Sequence, residues 1–119
     1  MESQEPTQAK REAAAKAMSR RFGVSLNTVQ PISINQIDLR PSRINAPDSL
    51  AEIVSQDTYE RAFHTYGHSF KDRVRKFAGD FKNPPDLVAY PRDEADVTAL
   101  LDWCGGAGYA AIPFGGGSS

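Results

Sequence analysis

The sequence predicts an α+β chain: a helical amino-terminal leader over residues 1–83, then a strand–helix–strand unit over residues 84–119. Three observations predict it. The stretch "TQAKREAAAKAMSRRF" consists almost wholly of strong helix formers. "LVAY", Leu87 to Tyr90, is a continuous apolar run bracketed by Pro84–Pro85 and Pro91. Between it and a second apolar run, "YAAIPF", lies "RDEADVTALLDWCGGAG", which carries both the start and the stop signals of a helix.

The first helix has Glu12 and Lys16 at the favourable i, i+4 spacing, and Gly23 stands where it should stop. Its only sizeable apolar side chains are Met18 and Phe22, so a solvated helix is expected. Residues 24–50 contain Pro31, Pro41 and Pro47 among scattered single aliphatics, which describes an extended connector. "SLAEIVSQ" then offers a helix, with Ser49 and Glu52 in a capping-box pattern and Leu50, Ile53, Val54 and Tyr59 towards one face. Asp57 is placed to cap a further helix through Tyr59, Arg61, Ala62 and Phe63, with Gly67 interrupting it. "SFKDRVRKFAGDF" is a short turn-rich or helical piece with basic residues outward.

In the last third, continuous rather than alternating apolarity from Leu87 to Tyr90 predicts a strand buried on both faces, as in a parallel sheet. Asp93 can cap the next helix, Glu94 and Asp96 suit its first turn, and Gly105 or Gly106 can end it. Val97, Leu100, Leu101 and Cys104 fall at i, i+3, i+4, i+7, the spacing of one buried stripe. "YAAIPF" completes a βαβ unit with parallel strands.

Composition excludes several classes. A net charge of -1 gives no field for nucleic acid or an anionic membrane surface. The single cysteine, Cys104, rules out an internal disulfide and a multi-cysteine metal site. The amino terminus lacks an apolar signal region and no run is long enough to span a bilayer, so a cytoplasmic protein is expected.

The candidate site is the glycine run. Gly115, Gly116 and Gly117 follow an apolar strand directly, with Pro113 and Phe114 at the exit and Ser118 and Ser119 adding hydroxyls. Consecutive glycines let backbone N–H groups converge on anionic oxygens without a side chain in the way, which is what a diphosphate needs. A structural turn and a flexible linker share this composition. Neither GxGxxG nor a GK[ST] ending is present, so Rossmann and Walker sites are unsupported. His64 and His68 lie at i, i+4, but Gly67 lies between them and no third ligand is evident. No metal site is assigned, and the histidines are expected to bond locally or to meet a ligand. "KDRVRK", Lys71 to Lys76, reads as a solvated charged face, and Cys104 as a small core residue.

From "PPDLVAYP" through the acidic-capped helix to "PFGGGSS", residues 84–119 resemble the start of the PCMH-type FAD-binding domain of the vanillyl-alcohol-oxidase flavoprotein superfamily. "RFGV" and "RAFHTYGHSFKDRVRKFAGDFKNPPD" look more specifically like the alkyldihydroxyacetonephosphate synthase (alkylglycerone-phosphate synthase) family and its bacterial FAD-linked oxidase relatives. The resemblance implies that Pro113, Phe114, Gly115, Gly116, Gly117, Ser118 and Ser119 wrap the FAD pyrophosphate. The loop has no histidine, which favours non-covalent FAD. It also implies a small-molecule or lipid-precursor substrate, with flavin helping to exchange an acyl for an alkoxy group in ether-lipid synthesis, or dehydrogenating an alcohol or hydroxy acid in the oxidases. A homodimer is among the assemblies it allows. The expectation is the amino-terminal fragment of a longer flavoenzyme, inactive by itself, with no catalytic residue to carry over. The alternative is a non-catalytic helical interaction module with a glycine–serine linker end.

Overall fold

The computed structural model describes residues 6–117, so Ser118 and Ser119 of the expected loop lie outside the described residues. The chain divides into two compact units, Met1–Gln30 and Pro31–Ser119. In the first, helix α1 spans Gln8–Phe22, capped by the Thr7 side chain on Lys10 N–H. It ends at Gly23 in the left-handed conformation, φ 65°. No residue of α1 is buried, as its sparse apolar content requires. Glu12 does not pair with Lys16 but accepts from Gln8 Nε2 at 2.6 Å. Leu26 N–H donates to Ser19 Oγ at 3.0 Å, and Gln30 bonds both Gln8 and Arg11, holding residues 24–30 along the helix.

The second unit begins with extended chain and a 3-10 turn at Ile34–Gln36. The helix expected from Ser49 is instead a 3-10 helix, Asp48–Ile53, entered from Pro47. In that tighter winding residues three apart eclipse, so Leu50 and Ile53 share the buried face, while Val54 leaves the helix for a strand. Strand β1, Val54–Ser55, pairs antiparallel with β2, Val88–Ala89, in the register Val54↔Ala89 and Ser55↔Val88.

This corrects the expected parallel βαβ unit. The apolar run at Leu87–Tyr90 does form a strand, but a shorter one, and its neighbour runs the opposite way. Residues 109–114 pair with nothing among the described residues, and Ile112 is 85% exposed. An apolar run states that a segment wants cover on both faces; it does not say which backbone edge is available to it.

Asp57 caps helix α2, Thr58–Phe63, by accepting from the N–H groups of Tyr59 and Glu60. Asp57→Ala should cost about 1 kcal/mol, the usual loss for a capping side chain, measured as a shift in urea midpoint. The helix stops at Phe63, earlier than Gly67, because His64 already takes the capping position. Helix α3, Phe70–Phe77, starts at Ser69, whose hydroxyl accepts from Asp72 N–H. It closes with Asp80 N–H on Arg75 O and Gly79 N–H on Lys76 O around a left-handed Gly79.

Helix α4, Glu94–Ala107, is capped by Asp93 as its sequence predicts. It runs through Gly105 and Gly106 and ends at Gly108, φ 73°, where Tyr109 N–H returns to Cys104 O. Its apolar stripe is not buried: Val97 and Leu101 are exposed, and Leu100 and Cys104 half-buried. The helix contacts the Asp48–Ile53 turn alone among the described elements it packs against closely.

The core is small: Leu50, Ile53, Ala62 and Val88, with Pro84 fully enclosed. Beside it lies a buried ionic knot. Arg61, 6% exposed, donates from Nε to Pro85 O at 2.9 Å and from Nη2 to Arg40 O at 2.8 Å. Arg40 donates to Asp86 Oδ1 and to Pro84 O, each at 2.6 Å. Arg43 closes the other side of Asp86 through Nη2 at 2.7 Å and its own backbone N–H at 2.9 Å. The segment expected to be a mere connector therefore clamps the entry to β2. No helix among the described residues is long and apolar enough to cross a membrane.

Candidate functional site

The glycine loop is positioned from two directions. Helix α4 ends at Gly108 and sends residues 109–114 out as extended chain. At its far end Phe114 is held by the two histidines. Its ring packs edge-on against His64, centroids 4.6 Å apart, and against His68 at 6.0 Å. The chain then bends at Gly115–Gly117, where Gly117 takes φ 66° and its carbonyl accepts from His68 N–H at 2.5 Å. Only Gly117 of the three needs the left-handed conformation.

Gly115 and Gly116 are different. A Cβ built on either meets no heavy atom within 4 Å. Among the described residues, their N–H groups donate to no backbone acceptor. The middle of the loop is thus open at both Cβ positions, and its two N–H groups have no backbone acceptor among the described residues.

Beside Gly115 opens a shallow cleft of about 390 Å³, lined by Tyr59, Glu60, Phe63, His64, Tyr90 and Phe114. It is aromatic with one acidic wall. Tyr90 donates its hydroxyl to Glu60 Oε2. Partial burial, then the bond to Glu60 and its charge, push the Tyr90 hydroxyl up to about 12. The neutral phenol is the form the fold favours, so this contribution holds below pH ~10 and is lost as pH rises through the folded value. Among the 4 tyrosines, one should ionise only near pH 12 in an ultraviolet titration, and Tyr90→Phe should remove that last step.

His64 and His68 do not share a helix face. His64 Nδ1 lies 2.8 Å from Glu60 O, at the end of α2, whereas His68 acts through its backbone N–H and its ring. Among the described residues no group of three or more His, Cys, Asp or Glu side chains is placed to hold a metal ion. The charged run Lys71–Lys76 is not wholly solvated. Lys76 Nζ donates to Phe63 O at 2.8 Å and lies 4.8 Å from the centre of the Phe63 ring. Burial pushes its ammonium down from the usual lysine range.

Against known proteins, this chain is similar to alkyldihydroxyacetonephosphate synthases. That of Dictyostelium discoideum is 36% identical over 73 residues, 61% of this chain. That of Trypanosoma brucei brucei is 28% identical over 68% of it. Two solved structures of alkyldihydroxyacetonephosphate synthase, in crystal forms P1 and P212121, align with a TM-score of 0.71 each. They are 24% and 26% identical and cover 87% and 88% of this chain. Over the matched part the chain is homologous to these synthases and shares their fold. It spans 11% and 14% of the length of the two curated relatives, and 21% of each solved chain. No protein-family profile matches it.

Of the residues expected at the loop, Pro113 to Gly117 are placed together and exposed or half-exposed. Sequence reasoning missed Glu60, Tyr90 and Phe63 as cleft walls, and it set Tyr59 on one face with Leu50, Ile53 and Val54, whereas Leu50 and Ile53 are buried and Tyr59 is 51% exposed. The aromatic spacing of Tyr59 and Phe63, with Glu60 between, was the available signal: one turn of α2 puts both rings on one side, centroids 6.0 Å apart.

Proposed function

We propose that this chain forms part of an FAD-dependent enzyme of the alkyldihydroxyacetonephosphate synthase type, in which the loop from Pro113 to Ser119 holds the diphosphate of non-covalently bound FAD. Residues 84–119 form the first part of its FAD-binding domain. The observation that carries this reading is the loop itself. Gly115 and Gly116 present open backbone, while Gly117 and Phe114 are fixed from behind by His68 and His64.

The residues present fit the group. A diphosphate is bound through short, unhindered donors, and here no Cβ and no neighbouring atom fills the space in front of the two glycines. The flavin, when bound, supplies the electron-pair chemistry that protein side chains lack. The described residues would bind and orient: the N–H groups of Gly115 and Gly116 would serve the anionic oxygens, and Phe114, packed on His64 and His68, fixes the loop's exit. The aromatic cleft beside Gly115 lies next to the diphosphate position and offers an apolar wall with one hydroxyl–carboxylate pair. The substrate is of the small-molecule or lipid-precursor class, and its site would be formed by other parts of such an enzyme.

The test is flavin content. Full-length protein carrying this segment should show visible flavin absorbance as purified or after reconstitution with FAD, and release the flavin intact on denaturation. Protein that neither retains nor takes up flavin sinks the reading in favour of a non-catalytic helical module.

A further inference from the structure

We propose that the Gly67–His68 turn between α2 and α3 is the positioning element of the glycine loop, holding it in its diphosphate-accepting form. The inference rests on the cradle reading given above and adds to it residues some fifty positions upstream, far outside the glycine motif.

The geometry is reciprocal. A Cβ on Gly67 would lie 2.6 Å from the carbonyl oxygen of Gly117. A Cβ on Gly117 would lie 2.7 Å from His68 Cδ2 and 2.8 Å from Phe114 Cζ. The Gly117 carbonyl thus fills the space a side chain on Gly67 would need, and the His68 and Phe114 rings fill the space a side chain on Gly117 would need. Between them His68 N–H donates to Gly117 O at 2.5 Å, fixing the carbonyl that points back from the loop. With that carbonyl engaged by His68, one loop oxygen that would repel an anion is already taken up by a donor. The turn itself is anchored: Arg73 Nε donates to His68 O at 3.2 Å, and Ser69 caps α3. The support is therefore rigid, as a binding constellation needs from the residues behind it.

Gly67 is not in the left-handed region, so alanine suits its backbone; its Cβ would clash with Gly117 O and press on Asp72 Oδ2 at 3.3 Å, and only the first of these is backbone. Because that neighbour is backbone, the loop must shift. In the full-length protein, Gly67→Ala should weaken FAD by about tenfold or more, and ADP, which presents the same diphosphate, by a similar factor. The thermal midpoint of the flavin-free protein should change little. His68→Ala keeps the N–H donor but removes the ring behind Gly117, and should weaken both ligands less than Gly67→Ala does. If both variants bind FAD like wild type while Gly116→Val does not, the support role is overturned and the cradle stands. If all three bind normally, the cradle reading falls and this inference with it. Loss of affinity that only tracks loss of folded protein in both variants also overturns it, since the turn is then a folding element alone.

Discussion

If the loop holds FAD as proposed, Gly116→Val should lower the full-length protein's affinity for it by about a hundredfold or more. The expectation is sharp because the site is empty of protein. A Cβ at Gly116 meets no heavy atom within 4 Å, and the residue is not in the left-handed region. Valine therefore adds no internal clash and no backbone strain, and as a surface change should alter stability by no more than about 0.5 kcal/mol. Its branched side chain fills only the space that the diphosphate is proposed to take. Equilibrium dialysis or flavin fluorescence quenching, beside a thermal melt of the flavin-free protein, separates the two effects. Normal flavin content in the variant rejects the cradle.

The largest stability effect is expected at Asp86. Asp86 pairs with the guanidinium groups of Arg40 and Arg43, and buried Arg61 lies close by, donating to the Pro85 and Arg40 carbonyls. Its side chain is 14% exposed. Hydrogen bonds from Arg43 first, then Arg40, hold its carboxyl well below the usual carboxylate range. Asp86→Ala leaves Arg40 without its 2.6 Å acceptor and leaves buried Arg61 beside uncompensated positive charge. The cost should be about 2–3 kcal/mol, the range for a hydrogen-bonded charge lost from a largely buried site. The exposed Arg43 contributes little to that figure. Because the folded protein depresses the carboxyl, the unfolded chain binds the proton more readily in acid. The contribution is fully present above pH ~4 and is lost as pH falls towards the folded value. Urea midpoints measured from neutral pH downwards should fall more steeply for wild type than for Asp86→Ala. Parallel curves would mean that Asp86 does not carry the acid sensitivity.

Some local signals in the sequence matched the structure and others, such as the Glu12–Lys16 pair and the stop at Gly105 or Gly106, did not. Asp57 and Asp93 cap the helices that follow them, and Gly23 ends α1 in the left-handed conformation. Such decisions involve a side chain and backbone groups two or three residues away, so spacing alone reveals them. The glycine loop was singled out the same way, from three consecutive glycines after an apolar run. Pairing was not legible. Leu87 to Tyr90 was expected beside a parallel strand at 109–114, whereas Val88–Ala89 pairs antiparallel with Val54–Ser55. The α4 stripe was expected to be buried, yet Val97 and Leu101 are exposed. Hydrophobic periodicity records a need for cover, not the element that supplies it.

The sequence by itself determined α1, α2 and α4, with the stop at Gly23 and the caps at Asp57 and Asp93, because each depends on neighbours along the chain. Only the tertiary structure decided what stands behind the glycine loop and what ties the fold together. His68 reaches Gly117, and Arg40 reaches Asp86, across some fifty residues of sequence. Contacts of that kind depend on loop closure and on which surfaces meet in space, and no periodicity or composition encodes the distance between them.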